Sequence, residues 1–145
     1  MEFKIISKTE DFNNQFNENS ISDFLFHHLE QYGDKKEDIL KCIAYAVNPN
    51  QGGKIIIAID ENQAVGITIL NNTGMKDYIP ENILVYIAVD GSKRGKGYGK
   101  KLMQKAIDSV DGNIALHVEP NNPALHLYEK LGFENKYLEM RLTKK

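Results

Sequence analysis

The chain has 145 residues, a net charge of −2, 41% hydrophobic and 26% charged residues, the proportions of a soluble globular domain. That length builds a core without disulfide or metal support, and the lone cysteine, Cys42, excludes an internal disulfide and suits a reducing cytosol. The charge argues against a general nucleic-acid coat, no apolar run nears the roughly 20 residues of a membrane span, and the first residues lack a leader pattern; a cytoplasmic protein of one domain, residues 1–145, is expected, with neither nucleic acid nor membrane as partner.

Phe3 and Ile5 alternate with Lys4 and predict a short first strand. Residues 9–19 are polar and read as a short helix or a loop. Ser20 with Asp23 three residues later looks like a capping box, opening a helix through Phe24, Leu25, His28 and Leu29 to about Gly33. A second helix carries Ile39, Leu40, Ile43, Ala44 and Val47 and is broken by residues 48–53, which hold Pro49, Gly52 and Gly53. Residues 54–59 and 64–70 are β-rich, and residues 60–63 between them read as a hairpin loop. A long connection over residues 71–82 leads to a strand at residues 83–89. A helix follows with Tyr98, Leu102, Met103, Ala106, Ile107 and Val110 inward. Residues 114–118 read as a strand. Asn122 suits an N-cap and Pro123 a first helical position, before a helix burying Ala124, Leu127, Tyr128 and Leu131. Gly132 stops it, and residues 133–142 predict a last strand. The hairpin requires an antiparallel pair and the strand–helix–strand unit favours a parallel one, so the class is α/β with a mixed sheet flanked by helices.

The stretch Arg94, Gly95, Lys96, Gly97, Tyr98, Gly99, Lys100, Lys101 stands between a strand and a helix start. Glycines let backbone N–H groups converge on an anion, with the positive end of a helix dipole behind them. A P-loop does not fit, because no Ser or Thr follows the lysines, and G-x-G-x-G is not the dinucleotide fingerprint. A basic loop whose glycines only shape a turn is the plain alternative.

Downstream lies a second constellation, Asn121 to Phe133. An R-x-x-G-x-G turn (Arg94, Gly97, Gly99), followed by Ala124, Leu127, Tyr128, Lys130, Gly132 and Phe133, resembles the GNAT superfamily of acyl-CoA-dependent N-acetyltransferases. The two motifs cover residues 84–133, and the order of elements fits as well. The resemblance implies a single-domain, splayed mixed sheet with acetyl-CoA in the splay. The backbone near Ile87, Ala88 and Val89 would meet the pantetheine arm. The N–H groups of Gly95, Lys96, Gly97, Tyr98, Gly99 and Lys100 would hold the pyrophosphate, with charge from Arg94 or a neighbouring lysine. Asn121 or Asn122 would contact the cofactor arm; the spacing leaves both open. Tyr128 would donate a proton to the leaving thiolate, a general-acid role, although periodicity alone reads it as packing beside Ala124 and Leu127.

Many relatives carry a glutamate on the strand matching residues 83–89, and this strand has none. Tyr86, His117, Glu119 or a water chain are left as routes for the amine's proton. His27 and His28, with Glu30, could suggest a metal, but the adjacent histidines point in different directions on a helix and no further Cys or His is placed to complete a site, so no metal is expected. Cys42 reads as core, and Phe24, Phe26 and Tyr32 either line an acceptor pocket or pack. Asp11, Glu18 and Asp23 read as solvated surface. The expectation is acetyl transfer from acetyl-CoA to a primary amine of a small molecule or peptide, by direct attack in a ternary complex, since no activated Cys or Ser stands out. A non-catalytic acyl-CoA-binding regulatory module of the same fold is the alternative, and a nucleotide-phosphate enzyme a third reading. Small domains of this kind often pair, so a homodimer stays open.

Overall fold

The computed structural model describes residues 1–144. Five strands form one sheet in the order β1 (Glu2–Ile6), β2 (Gly53–Asp60), β3 (Gln63–Asn72), β4 (Asn82–Val89), β5 (Ile114–Leu116). The first four pair antiparallel in sequence order, and β5 joins β4 in parallel. The mixed α/β sheet is as expected from the hairpin and the strand–helix–strand unit.

Helices cover both faces. On one side lie α1 (Glu18–Leu29) and α2 (Lys36–Val47), on the other α3 (Tyr98–Ser109) and α4 (Ala124–Lys130). Consecutive residues of β2 point to opposite faces, so Ile55 and Ile57 join the α1/α2 core while Ile56 joins the α3/α4 core. Coverage on both sides explains why β2 reads as an unbroken isoleucine run rather than an alternation.

Several local readings shift. The first helix starts at Glu18, because Asn17 rather than Ser20 is the cap. Asn17 Oδ1 accepts the Ser20 N–H and Ser20 Oγ accepts the Asn17 N–H, a reciprocal pair. It ends at Leu29, and a 3-10 turn over Glu30–Tyr32 carries the chain to Gly33. Residues 9–19 contain only a 3-10 turn before that cap. The strand expected over residues 114–118 closes at Leu116, where its pairing with β4 stops.

The last strand expected over residues 133–142 does not form. Phe133 packs beside the α3/α4 core and its N–H bonds the Tyr128 carbonyl, closing α4. Beyond it Leu138, Met140 and Leu142 alternate with polar residues, yet all three are largely exposed. Alternation supplies a face but no ladder, and among the described residues no strand pairs with residues 137–142.

Candidate active site

Strand β4 is held by β5 only at Asn82–Leu84, opposite Ile114–Leu116. From residue 85 to 89 it continues with no ladder partner on that side among the described residues, because β5 ends at Leu116. A gap opens where the parallel pair would have continued. A bulge marks its start: Tyr86 faces Ile69 and Leu84 faces Leu70, so Val85 has no partner on β3 and stands 36% exposed. Bulges bend a strand and re-aim its side chains.

Beyond the bulge the backbone polarity is legible. The Tyr86 carbonyl accepts the Thr68 hydroxyl at 2.8 Å, and the Ala88 carbonyl lies toward Gly66. Both face β3. Backbone groups alternate along a strand, so those of Ile87 and Val89 face the gap, while Ala88 serves the sheet.

The strand leads through a 3-10 turn (Gly91–Lys93) to the glycine turn. Gly95 and Gly97 both sit at φ +82, and a Cβ on either would meet nothing within 4 Å. Their glycine identity therefore answers backbone conformation, not crowding. The first intrahelical bond of α3 runs from the Lys101 N–H to the Gly97 carbonyl. Among the described residues no acceptor meets the backbone N–H groups of residues 95–100, which fan out at the positive end of α3. Lys96 and Lys100 are exposed beside them. Unpaired N–H donors and exposed lysines at a helix N-terminus suit an anion.

Two side chains of that region are otherwise engaged. Arg94 reaches back to α1, donating to the His28 carbonyl at 2.8 Å and to Glu30 Oε1 at 3.2 Å. Gly91 N–H donates to His28 Nδ1 at 3.1 Å. The turn is thus clamped at two points to the end of α1. Burial, ahead of its charged neighbours, lowers the His28 pKa, which favours the neutral ring that this acceptor role needs. The Tyr98 hydroxyl donates to Asp60 Oδ2 at 2.6 Å and so ties the start of α3 to the end of β2.

Helix α4 packs on the α3 side of the sheet, with Leu127 against Gly99. Tyr128 is buried in the α3/α4 core, its ring centroid 6.0 Å from that of Phe133. Burial alone raises its phenol to about 12. Its hydroxyl has no hydrogen-bond partner among the described residues, so it carries a proton at neutral pH with no protein acceptor to satisfy. Asn122 Oδ1 accepts the Ala124 N–H at 2.9 Å, and Pro123 already has helical dihedrals. Asn122 therefore caps α4, and its amide oxygen is committed there. Asn121 is exposed with its side chain free of such a bond.

The other candidates separate. Phe24 lines a cavity of about 280 Å³ together with His28 and Asp90, Phe26 is exposed to solvent, and Tyr32 lies at the mouth of the gap. His117 and Glu119 are exposed beyond the end of β5. Cys42 is buried and its thiol is pushed up to about 12 by desolvation, so it is no thiolate nucleophile at neutral pH. No group of three or more metal-ligating side chains occurs among the described residues. The sequence reading missed the clamp from α1 onto the glycine turn, which joins residues more than sixty positions apart and leaves no local pattern.

Comparison with known proteins agrees with this geometry. Residues 51–135 match the family model of the acetyltransferase (GNAT) domain. A mycothiol acetyltransferase of Rhodococcus erythropolis is 29% identical over 124 residues, covering 67% of this chain and 42% of that protein. The chain thus spans less than half the length of that curated relative. Among solved structures, a probable acetyltransferase superposes with a TM-score of 0.73 at 16% identity, covering 100% of both chains. The aminoglycoside N-acetyltransferase AAC(6')-Iy in complex with CoA gives 0.71 at 16% identity, over 99% of this chain and 94% of that one. A ribosomal-protein-alanine N-acetyltransferase from Brucella melitensis gives 0.66 at 15% identity, over 99% and 100%. At these identities the structures speak for the fold.

Proposed function

The chain belongs to the GNAT acetyltransferase family, and from that premise we propose that it transfers acetyl from acetyl-CoA to a primary amine by direct attack in a ternary complex. The observation that carries the reading is the alignment of three features along one gap. These are the free edge of β4 at Ile87 and Val89, the open N–H fan of residues 95–100 that follows it, and Tyr128, in a core cluster against which Ile87 and Leu116 pack. The fan would hold the pyrophosphate, the free edge the amide-bearing arm, and Asn121 is the freer of the two asparagines to meet that arm. The thioester supplies an activated acyl carbon and a thiolate leaving group.

Tyr128 holds its proton well above neutral pH and faces no internal acceptor. It is the residue we assign as general acid for the departing sulfur. Direct attack agrees with the buried, protonated state of Cys42, the chain's lone cysteine. Lys96 and Lys100 supply positive charge at the fan, beside the guanidinium donors of Arg94 that its bonds to His28 and Glu30 leave unused.

Release of free CoA from acetyl-CoA in the presence of a mixed amine panel tests the reading. Saturable binding of acetyl-CoA without release across the panel would favour the acyl-CoA-binding module instead. A thermal-shift series settles the third reading: a ligand at 100 times its Kd adds about 2.7 kcal/mol, and ATP is expected to give far less protection than acetyl-CoA.

A further inference from the structure

The glycine turn is positioned from its ends. A Cβ on Gly95 or Gly97 would meet nothing within 4 Å, so neither glycine packs against a neighbour on that side. After them the Tyr98 hydroxyl is tied to Asp60 at 2.6 Å. Before them the chain is tied three times. The Asp90 N–H donates to the Val65 carbonyl at 2.8 Å, the Gly91 N–H to His28 Nδ1 at 3.1 Å, and the Arg94 guanidinium to the His28 carbonyl and Glu30. His28 thus accepts twice from the approach to the turn, with its ring at Gly91 and with its main chain at Arg94.

The ring bond carries a condition that the other ties lack. Nδ1 accepts only while it holds no proton, which leaves the ring hydrogen on Nε2. The other acceptors are carbonyls and carboxylates, whereas imidazole is the side chain whose charge changes between about pH 5 and 8. A proton added at Nδ1 would point at the Gly91 N–H, and the bond would be lost.

The surroundings of the ring pull both ways. Asp90, just after β4, and Glu30, on the 3-10 turn after α1, favour an imidazolium, as does the C-terminal end of α1. His27 beside it and Arg94 on the turn oppose one. Burial leads, with the Phe24 ring centroid 4.5 Å away, and holds the ring below its ordinary range. His28 also lines the cavity of about 280 Å³ that it shares with Asp90, so solvent protons reach the ring.

We propose that His28 is a positioning residue of the anion-binding turn that acts only as the neutral imidazole, so that acid frees Gly91 and weakens acetyl-CoA binding. The proposal rests on the reading that this turn holds the pyrophosphate. Protonation removes the Gly91 tie and leaves the Arg94 bond to the His28 carbonyl, so the turn loosens without being released. Affinity is full above neutrality and falls as pH drops below 6.5.

The test titrates the full chain with acetyl-CoA in a calorimeter from about pH 7.5 to about pH 5, the range in which imidazole changes charge, as wild type, His28→Asn and His28→Ala. Asparagine offers a side-chain oxygen in place of Nδ1 and does not titrate. The ligand's own phosphates titrate alike in every series, so the ratio of wild-type to His28→Asn Kd isolates the ring. That ratio is expected to rise about five-fold toward acid, the scale of one hydrogen bond. His28→Ala lacks the acceptor at every pH; it should bind more weakly than wild type at the neutral end and converge with it at the acid end. In wild type the Gly91 amide resonance should shift with the same midpoint as the His28 ring protons, a measurement that needs no variant. A flat ratio, or a Gly91 amide that stays still while the ring titrates, overturns the proposal. Wild-type binding that tightens in acid relative to His28→Asn would make the imidazolium a direct partner of the phosphates and overturns it too. Absence of acetyl-CoA binding by wild type at the neutral end overturns the assignment of the turn beneath it.

Discussion

Arg94 and His28 are joined by a hydrogen bond of 2.8 Å from the guanidinium to the main-chain carbonyl, across 66 positions of sequence. The same guanidinium reaches Glu30 at 3.2 Å. Arginine in the glycine turn invites a phosphate role, and two of its five N–H donors already serve the His28 carbonyl and Glu30. Both partners of the ion pair are substantially exposed, so its own contribution to stability is small, about 1 kcal/mol or less. Arg94→Ala and Glu30→Ala are therefore expected to raise the acetyl-CoA KM by similar, modest factors, because each loosens the same clamp. A much larger effect of Arg94→Ala, measured side by side, would return the guanidinium to the phosphates.

The glycine turn makes a prediction with an internal control. Gly97→Ala places a Cβ in open space but at φ +82, so its cost is conformational, about 1–2 kcal/mol. Gly74 sits at φ +78, also in open space, in the connection before β4. Gly74→Ala should show a comparable drop in thermal midpoint with an unchanged acetyl-CoA KM. Gly97→Ala should add a rise of about ten-fold in that KM, since one lost charge-assisted hydrogen bond is of that order. Equal KM values in the two variants would remove the turn from the binding site.

Tyr128→Phe isolates the hydroxyl. The ring is buried and its hydroxyl bonds to nothing among the described residues, so packing survives the change. Turnover is expected to fall about 100-fold, the lower range for loss of a general acid, with little change in acetyl-CoA affinity. A parallel loss in both would make Tyr128 part of the scaffold.

Alkaline stability follows from three buried groups. Burial raises Cys42 from 9.0 to about 12 and Tyr128 from 10.0 to about 12, and it raises Tyr86 further, with Asp34 adding to the shift. In the unfolded chain these groups lose their protons first, so the fold holds more protons than the unfolded state above pH 9. Stability is therefore full below pH 9 and falls as pH climbs toward 12. Tyr128→Phe removes one contributor, which acts between pH 10 and 12 at about 1.4 kcal/mol per pH unit. Denaturant melts of the two proteins should run parallel up to pH 10, and wild type should then lose stability faster. Curves that stay parallel to pH 12 would refute the buried, protonated phenol.

Much of the architecture was readable in the chain because the signals are local. The hairpin shows as two β-branched runs around a polar tetrad, and α3 as a glycine turn followed by a 3.6-residue stripe. The failures have local causes too. Ser20 looked like a cap because Asp23 follows it, yet Asn17 starts the helix one turn sooner by accepting the Ser20 N–H, which places Ser20 inside the helix. Residues 133–142 alternate like a strand, but a strand is a pairing, and alternation does not supply the partner.

The sequence by itself determined most of the elements and their order, the glycine-rich turn before α3 and a family membership carried by two spaced motifs. Those depend on residues close together in the chain, where sterics and periodicity act directly. Tertiary structure decided which groups are free to act. It showed that β4 outlasts its partner, that Arg94 bonds to the end of α1, that the Asn122 amide oxygen caps α4, and that Asp34 and Tyr86 meet. Each depends on distances between segments brought together by burial of both sheet faces, and hydrogen-bond partners chosen that way leave no trace in the spacing of residues.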